Sequence, residues 1–309
     1  MAVTIWAAGA VAAGGLVALD RLANMVVRPV HRAALRPIGD LGIPFEEIAI
    51  ASGSRRLAAW LLTPDGTPAS RVLVVLAHGW GANHGTVVDL AEPLLRAGYP
   101  VLLFDVRGHG RSEPVPYVTV RQFRDDVRAV VRHAALHLPY TARVVAGHSM
   151  GAAGALLAAA EGAPVHGVVS IAGPADVLEI SAAYLDERGW PGGAMVWLLR
   201  PFWWWRAGSG FARLTPERRA PDVRVPLLLV QPGEDSRVPR GHAERLARAA
   251  DRPLHVIEGT RHTDVLRHPE THRLVLDFLA STTSRMATPG SGRDDGGAPS
   301  PVTKSRTRG

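Results

Sequence analysis

Continuous apolar runs of strand length alternate along the middle of the chain with segments whose apolar residues recur at helical spacing. Arg71 to Ala77 (RVLVVLA), Val101 to Phe104, Arg143 to Ala146, Val165 to Ile171, Pro226 to Val230 and Leu254 to Ile257 read as strands, the longest of them continuous enough to be buried on both faces. Between and after them Thr86 to Ala97, Gln122 to Leu138, Ala152 to Ala160, His242 to Ala250 and Thr271 to Leu279 read as helices. Upstream, Phe45 to Ile50 and Leu57 to Thr63 flank Ser52-Gly53-Ser54 as a hairpin would, and Pro64-Asp65-Gly66 ends the second strand. Strands alternating with helices imply an α/β domain over residues 41–280, a mostly parallel sheet flanked by helices.

Three stretches depart from this alternation. Pro174 to Arg219 is a long insert after the sixth core strand and holds Trp190, Trp197, Phe202, Trp203, Trp204 and Trp205. It reads as a small cap, about residues 174–219: an aromatic lid over a pocket, a helical unit packed on the core, or a membrane-facing patch. Residues 281–309 are rich in Gly, Ser, Thr, Pro and Arg with almost no large apolar side chain, so they are expected to form a disordered tail. Residues 1–40 read as an apolar anchor with a basic flank. Met1 to Leu19 carries no charge, and as a helix rising about 1.5 Å per residue it approaches the roughly 30 Å of a bilayer core.

That run is rich in Ala and Gly, so insertion would be marginal. No Lys or Arg precedes it, which argues against a cleaved export signal, whereas Arg21, Arg28, Arg32 and Arg36 follow it. The expectation is therefore an uncleaved transmembrane helix at residues 1–19 that leaves the body in the cytoplasm, with export and a soluble or surface-lying helix as the alternatives. Composition adds two exclusions. The chain has 309 residues and no cysteine, which removes disulfides and thiolate metal sites. Its net charge of +7 falls mostly on the two ends, +2 on residues 1–40 and +3 on residues 281–309, so the body is no platform for nucleic acid.

The chemistry concentrates at Gly147-His148-Ser149-Met150-Gly151, which follows a strand and opens a helix of small residues. A serine on such a sharp turn needs glycine on both sides, because strand and helix approach closely there. The turn exposes the hydroxyl and sets the N–H of Met150 at a helix start, where an oxyanion would develop. In this the sequence resembles the α/β-hydrolase family, whose serine esterases, monoacylglycerol lipases and aminopeptidase-like members share a Gly-His-Ser-Met-Gly elbow.

The resemblance implies the α/β-hydrolase fold, with the cap inserted after the sixth strand, and a catalytic triad in the chain order Ser, acid, His. Ser149 is then the nucleophile. Of the histidines late in the chain, His262 alone sits in a loop just after a strand end; His255 lies within the strand, and His268 and His272 lie near or in the last helix. The loop Gly233-Glu234-Asp235-Ser236-Arg237-Val238-Pro239 resembles the family's acid loop with the glycine one residue closer than usual, which gives Asp235 first, Glu234 second and Asp176 third. His78-Gly79-Trp80-Gly81 resembles the loop that supplies the second oxyanion N–H, so Trp80 joins Met150 in the oxyanion hole. Asp105 to Ser112 resembles a glycine-rich family loop, in which Asp105 and Arg107 read as structural; it lacks the Walker ending of a phosphate loop. The expected reaction is hydrolysis of a small-molecule carboxylic ester, lipid-like if the chain meets a membrane, with no cofactor and no metal. Amide hydrolysis uses the same residues, and a non-catalytic binding protein at the membrane is the reading from another class.

Overall fold

A computed structural model describes residues 2–34, 36–64, 70–208 and 211–287. Helix α1 (Ala2–Val27) leads into the hairpin β1 (Phe45–Ser52) and β2 (Arg55–Leu62), whose turn is made by Gly53 at φ 60°. There follow β3 (Val72–Ala77), α2 (Val88–Arg96), β4 (Val101–Phe104), α3 (Val120–His137), β5 (Ala142–His148), α4 (Met150–Ala160) and β6 (Gly167–Ile171). The insert after β6 contains α5 (Val177–Asp186), α6 (Gly192–Ala207) and the short α7 (Pro216–Arg219). β7 (Leu227–Pro232), α8 (Arg240–Ala250), β8 (Leu254–Ile257) and α9 (Pro269–Ala287) complete the order.

The eight strands form one sheet in the order β1-β2-β4-β3-β5-β6-β7-β8. The hairpin strands pair antiparallel, and every pairing from β4 to β8 is parallel. Every residue of β3, β4, β5 and β6 is buried, as expected for continuous apolar runs covered on both faces. One face packs on α3, α4 and α8 through Phe123, Val127, Leu156 and Leu246; the other packs on α2 and α9 through Leu90, Leu94, Val275 and Leu279. The chain turns from β3 to β4 on one side and then to β5 on the other. That reversal of strand order opens a crevice at the carboxyl ends of β3 and β5, the place where sheets of this type hold ligands.

The N-terminal expectation needs correction. Among the described residues no helix is long and apolar enough to cross a membrane. The alanines and glycines of α1 supply too little hydropathy, and its C-terminal part is used for packing within the protein. Leu19, Leu22, Ala23, Val26 and Val27 meet Leu199 and Trp203 of α6; Trp203 Nε1 donates to the Ala23 carbonyl at 2.9 Å, and Arg206 bonds Asp20 at 2.8 Å. Residues Ala12 to Ala18 are exposed. At the other end α9 continues to Ala287, beyond the residue 280 at which the pattern ends the folded body, and residues 288–309 lie outside the described residues. In the insert Trp203 is buried, whereas Trp190, Trp197, Trp204 and Trp205 are exposed, so most of its indoles face away from the core.

Candidate active site

Four loops at the carboxyl edge of the sheet carry the residues singled out by sequence. Ser149 directly follows β5 at φ 56°, a left-handed conformation that a non-glycine residue adopts only under constraint. Two hydrogen-bonded features impose it: Ser149 N–H donates to Ile171 O at 2.9 Å, and its own carbonyl accepts from Ala152 N–H at 3.0 Å as α4 begins. The flanking glycines leave no room for a side chain, since a Cβ on Gly147 would run into the Gly151 backbone and one on Gly151 into the carbonyls of Ala77 and His78. Gly79, on the loop after β3, passes so close that an added Cβ would stand 3.0 Å from Ser149 Cβ. Trp80, Ser149 and Met150 line one cavity. Helix α4 starts at Met150, so the positive end of its dipole lies at this cavity.

Asp235 and His262, from the loops after β7 and β8, meet each other. His262 Nδ1 donates to Asp235 Oδ2 at 2.7 Å, which fixes the tautomer and leaves Nε2 as the proton acceptor. The remaining carboxylate oxygen accepts from the N–H groups of Arg237 and Val238, both at 2.9 Å. Both side chains are buried. Glu234 is exposed, with its backbone N–H on Thr260 O, and Asp176 caps α5 by accepting from Leu178 N–H at 2.7 Å. Neither alternative carboxylate has a hydrogen bond to His262 among the described residues. His255 lies on β8, and His272 donates to Leu266 O.

Behind these residues lies a buried histidine set. His148 Nε2 donates to the carbonyl of His262 at 2.8 Å, the two rings stand 4.7 Å apart, and His148 Nδ1 is buried with no hydrogen-bond partner. Burial, with His262 nearby, pushes His148 down to about 3, so it is neutral at physiological pH. His109 Nε2 accepts from Gly81 N–H at 3.2 Å and its Nδ1 donates to Arg107 O, while His78 accepts from Val106 N–H and donates to Gly79 O. These bonds tie the Gly79 to Gly81 loop to the glycine-rich loop after β4. His109 is likewise pushed down to about 3 by burial, then by His78. Within that second loop Asp105 accepts from His84 and from Arg111 N–H, and Arg107 bonds Asp126 and Ser52, so both side chains brace loops. His148 and His109 lie inside the motifs noted by sequence, yet their partners are remote in the chain and no local pattern announces them. Among the described residues no group of His, Cys, Asp and Glu has a metal-holding arrangement.

The cavity beside Ser149 has a volume of about 150 Å³ and a mostly apolar wall, with Val118 before α3, Val120 at its first position, and Leu178 and Ile180 of α5 among its lining residues. Trp203 of α6 also lines it, and so do Val26 and Val27 of α1, which the sequence reading did not anticipate.

A family model described as serine aminopeptidase, S33, matches residues 68–207. The chain is 40% identical over 101 residues to a monoacylglycerol lipase of Mycolicibacterium smegmatis, covering 32% of this chain and 35% of that protein. It is 34% identical over 124 residues to human monoglyceride lipase, covering 38% and 40%. The matched region thus spans little more than a third of the length of these relatives. Among solved structures, the esterase Pf2001 of Pyrococcus furiosus superposes with a TM-score of 0.65 at 21% identity, over 82% of this chain and 99% of that one, a likeness of fold.

Proposed function

We propose that the chain, which has the α/β-hydrolase fold, is a serine hydrolase that cleaves carboxylic esters through an acyl-enzyme on Ser149. The observation that carries the reading is the buried His262–Asp235 bond at 2.7 Å, on the same sheet edge as the strained turn of Ser149. In this reading His262 Nε2 takes the Ser149 proton as Oγ attacks the ester carbonyl. Asp235 keeps the imidazole in the right tautomer and stabilises the imidazolium that forms. The N–H groups of Trp80 and Met150 hold the oxyanion, and His262 returns the proton to the leaving alcohol. Water then repeats the sequence on the acyl-enzyme and releases the acid.

The apolar wall of the cavity supports an ester with an apolar group, and the monoacylglycerol lipases that the chain resembles act on esters of lipid type. The test is turnover of p-nitrophenyl esters by the full chain and its Ser149→Ala variant, both checked for folding. Ester turnover that disappears with Ser149 is the expected result; turnover unchanged in the variant would overturn the assignment. Amide hydrolysis is the second reading, favoured by the matched family's description. An aminopeptidase needs an anion for the substrate's ammonium group, and Asp176 is the carboxylate among the cavity's lining residues. One of its oxygens already accepts from Leu178 N–H, which leaves the other for that role. Parallel assays on aminoacyl p-nitroanilides decide between the two.

Association with a lipid surface, short of crossing one, completes the proposal. Trp197, Trp204 and Trp205 of α6 and Leu16, Val17 and Met25 of α1 are exposed, and both helices contribute to the wall of the cavity. An amphiphilic ester would thus meet apolar surface next to the site.

A further inference from the structure

We propose that Val26 and Val27, at the C-terminal end of α1, close one side of the substrate cavity and set the length of the apolar group that it accepts. This rests on the ester-hydrolase reading for its kinetic test. Both valines line the same cavity as Ser149. The helix end that presents them is fastened on three sides. The Ala23 carbonyl accepts from Trp203 Nε1 at 2.9 Å, Arg206 bonds Asp20 at 2.8 Å, and the Val27 carbonyl accepts from Val118 N–H at 2.8 Å. Trp203 and Val118 are themselves lining residues, so the bonds that hold α1 run directly to neighbouring parts of the wall.

Beyond Val27 the chain stays attached. Pro29 is buried, and its ring lies against Gly108, where an added Cβ would meet Pro29 Cγ at 2.7 Å. The valines are therefore held as a fixed surface, in contrast to the exposed residues Ala12 to Ala18 of the same helix. Volume supplies the consequence. A mostly apolar cavity of about 150 Å³ has room for a group of about six carbons. A longer chain must pass the valines or stay outside. The substrate class is accordingly an ester whose buried group is short and apolar, and α1 defines the limit.

The experiment compares kcat/KM for p-nitrophenyl acetate, butyrate, hexanoate and decanoate in the full chain, in Val26→Ala/Val27→Ala and in Val27→Phe, with folding checked by thermal unfolding. The proposal expects a maximum near hexanoate in the natural chain. In the double alanine variant the decanoate to hexanoate ratio rises on the order of 10-fold, and in Val27→Phe the hexanoate to acetate ratio falls on the order of 10-fold, the scale on which a pocket discriminates added methylenes. Unchanged ratios in both folded variants would overturn it. Val27→Leu, which keeps an aliphatic contact with the surrounding wall, gives a smaller shift toward acetate and serves if the phenylalanine variant unfolds. Should the natural chain hydrolyse none of these esters, the ester reading fails by itself. The wall is then judged by displacement of 1-anilinonaphthalene-8-sulfonate with hexanoate and decanoate. Preference for hexanoate that is lost in the double alanine variant sustains the assignment, and an equal response of both proteins contradicts it.

Discussion

Each residue of the proposed triad is held by its own hydrogen bonds: Ser149, in its strained turn, by backbone bonds to Ile171 and Ala152, Asp235 by two backbone donors, and His262 by Asp235 on its ring and His148 on its carbonyl. The last of these has a measurable cost. His148 and His109 are both held near 3 in the folded protein, below their ordinary 6.5. Between those values the unfolded chain binds protons that the folded chain refuses, so stability falls as pH falls. The slope reaches at most about 1.4 kcal/mol per pH unit for each group. Urea unfolding at pH 7, 6 and 5 should show that decline, and His148→Gln, which keeps a donor for the His262 carbonyl, should flatten it by about one group's share. An identical slope in the variant would remove His148 from this role. Ser149, Asp235 and His262 could be proposed from the sequence because each sits at a fixed place relative to a strand end. The part played by His148 was not, since its partner is a backbone carbonyl far along the chain.

At the scale of elements, the alternation of apolar runs located the strands and helices of the central domain, while the N-terminal run was misread. Hydropathy records how apolar a segment is and not what it packs against. The apolar N-terminal run looks like an anchor until Trp203 and Arg206 are seen to hold its C-terminal part; of the insert's tryptophans, read as a lid, a packed unit or a membrane-facing patch, Trp203 lines the cavity and four are exposed. Close approach between elements was legible through glycine spacing. At Gly79 the loop after β3 passes the nucleophile closely, since an added Cβ would stand 3.0 Å from Ser149 Cβ and 3.4 Å from His148 O and one side would have to yield by a few tenths of an ångström. Gly79→Ala should therefore shift the elbow or the Trp80 N–H slightly and slow acylation by about 10-fold, less than the roughly 100-fold penalty of a 1 Å misplacement. Pre-steady-state burst kinetics checks this; a burst rate equal to that of the natural chain would show that the loop yields without moving the site.

For the whole molecule, the sheet brings four loops to one edge, the insert and α1 cover that edge, and the same two elements leave tryptophan and aliphatic side chains exposed beside it. Sedimentation with anionic phospholipid vesicles should retain the chain, and Trp204→Ser/Trp205→Ser should release it on the order of 10-fold. Equal retention of both proteins would assign the exposed indoles elsewhere. The central claim, that Ser149 is a nucleophile activated by His262 and Asp235, has a more direct test. The folded chain is treated with a fluorophosphonate and its peptides are read by mass spectrometry. The account predicts one adduct, on Ser149, formed about 1,000-fold or more slowly in Asp235→Asn, where the imidazole loses the carboxylate that fixes its tautomer. Absence of an adduct on Ser149 in the folded protein, or labelling at the same rate in Asp235→Asn, would contradict it.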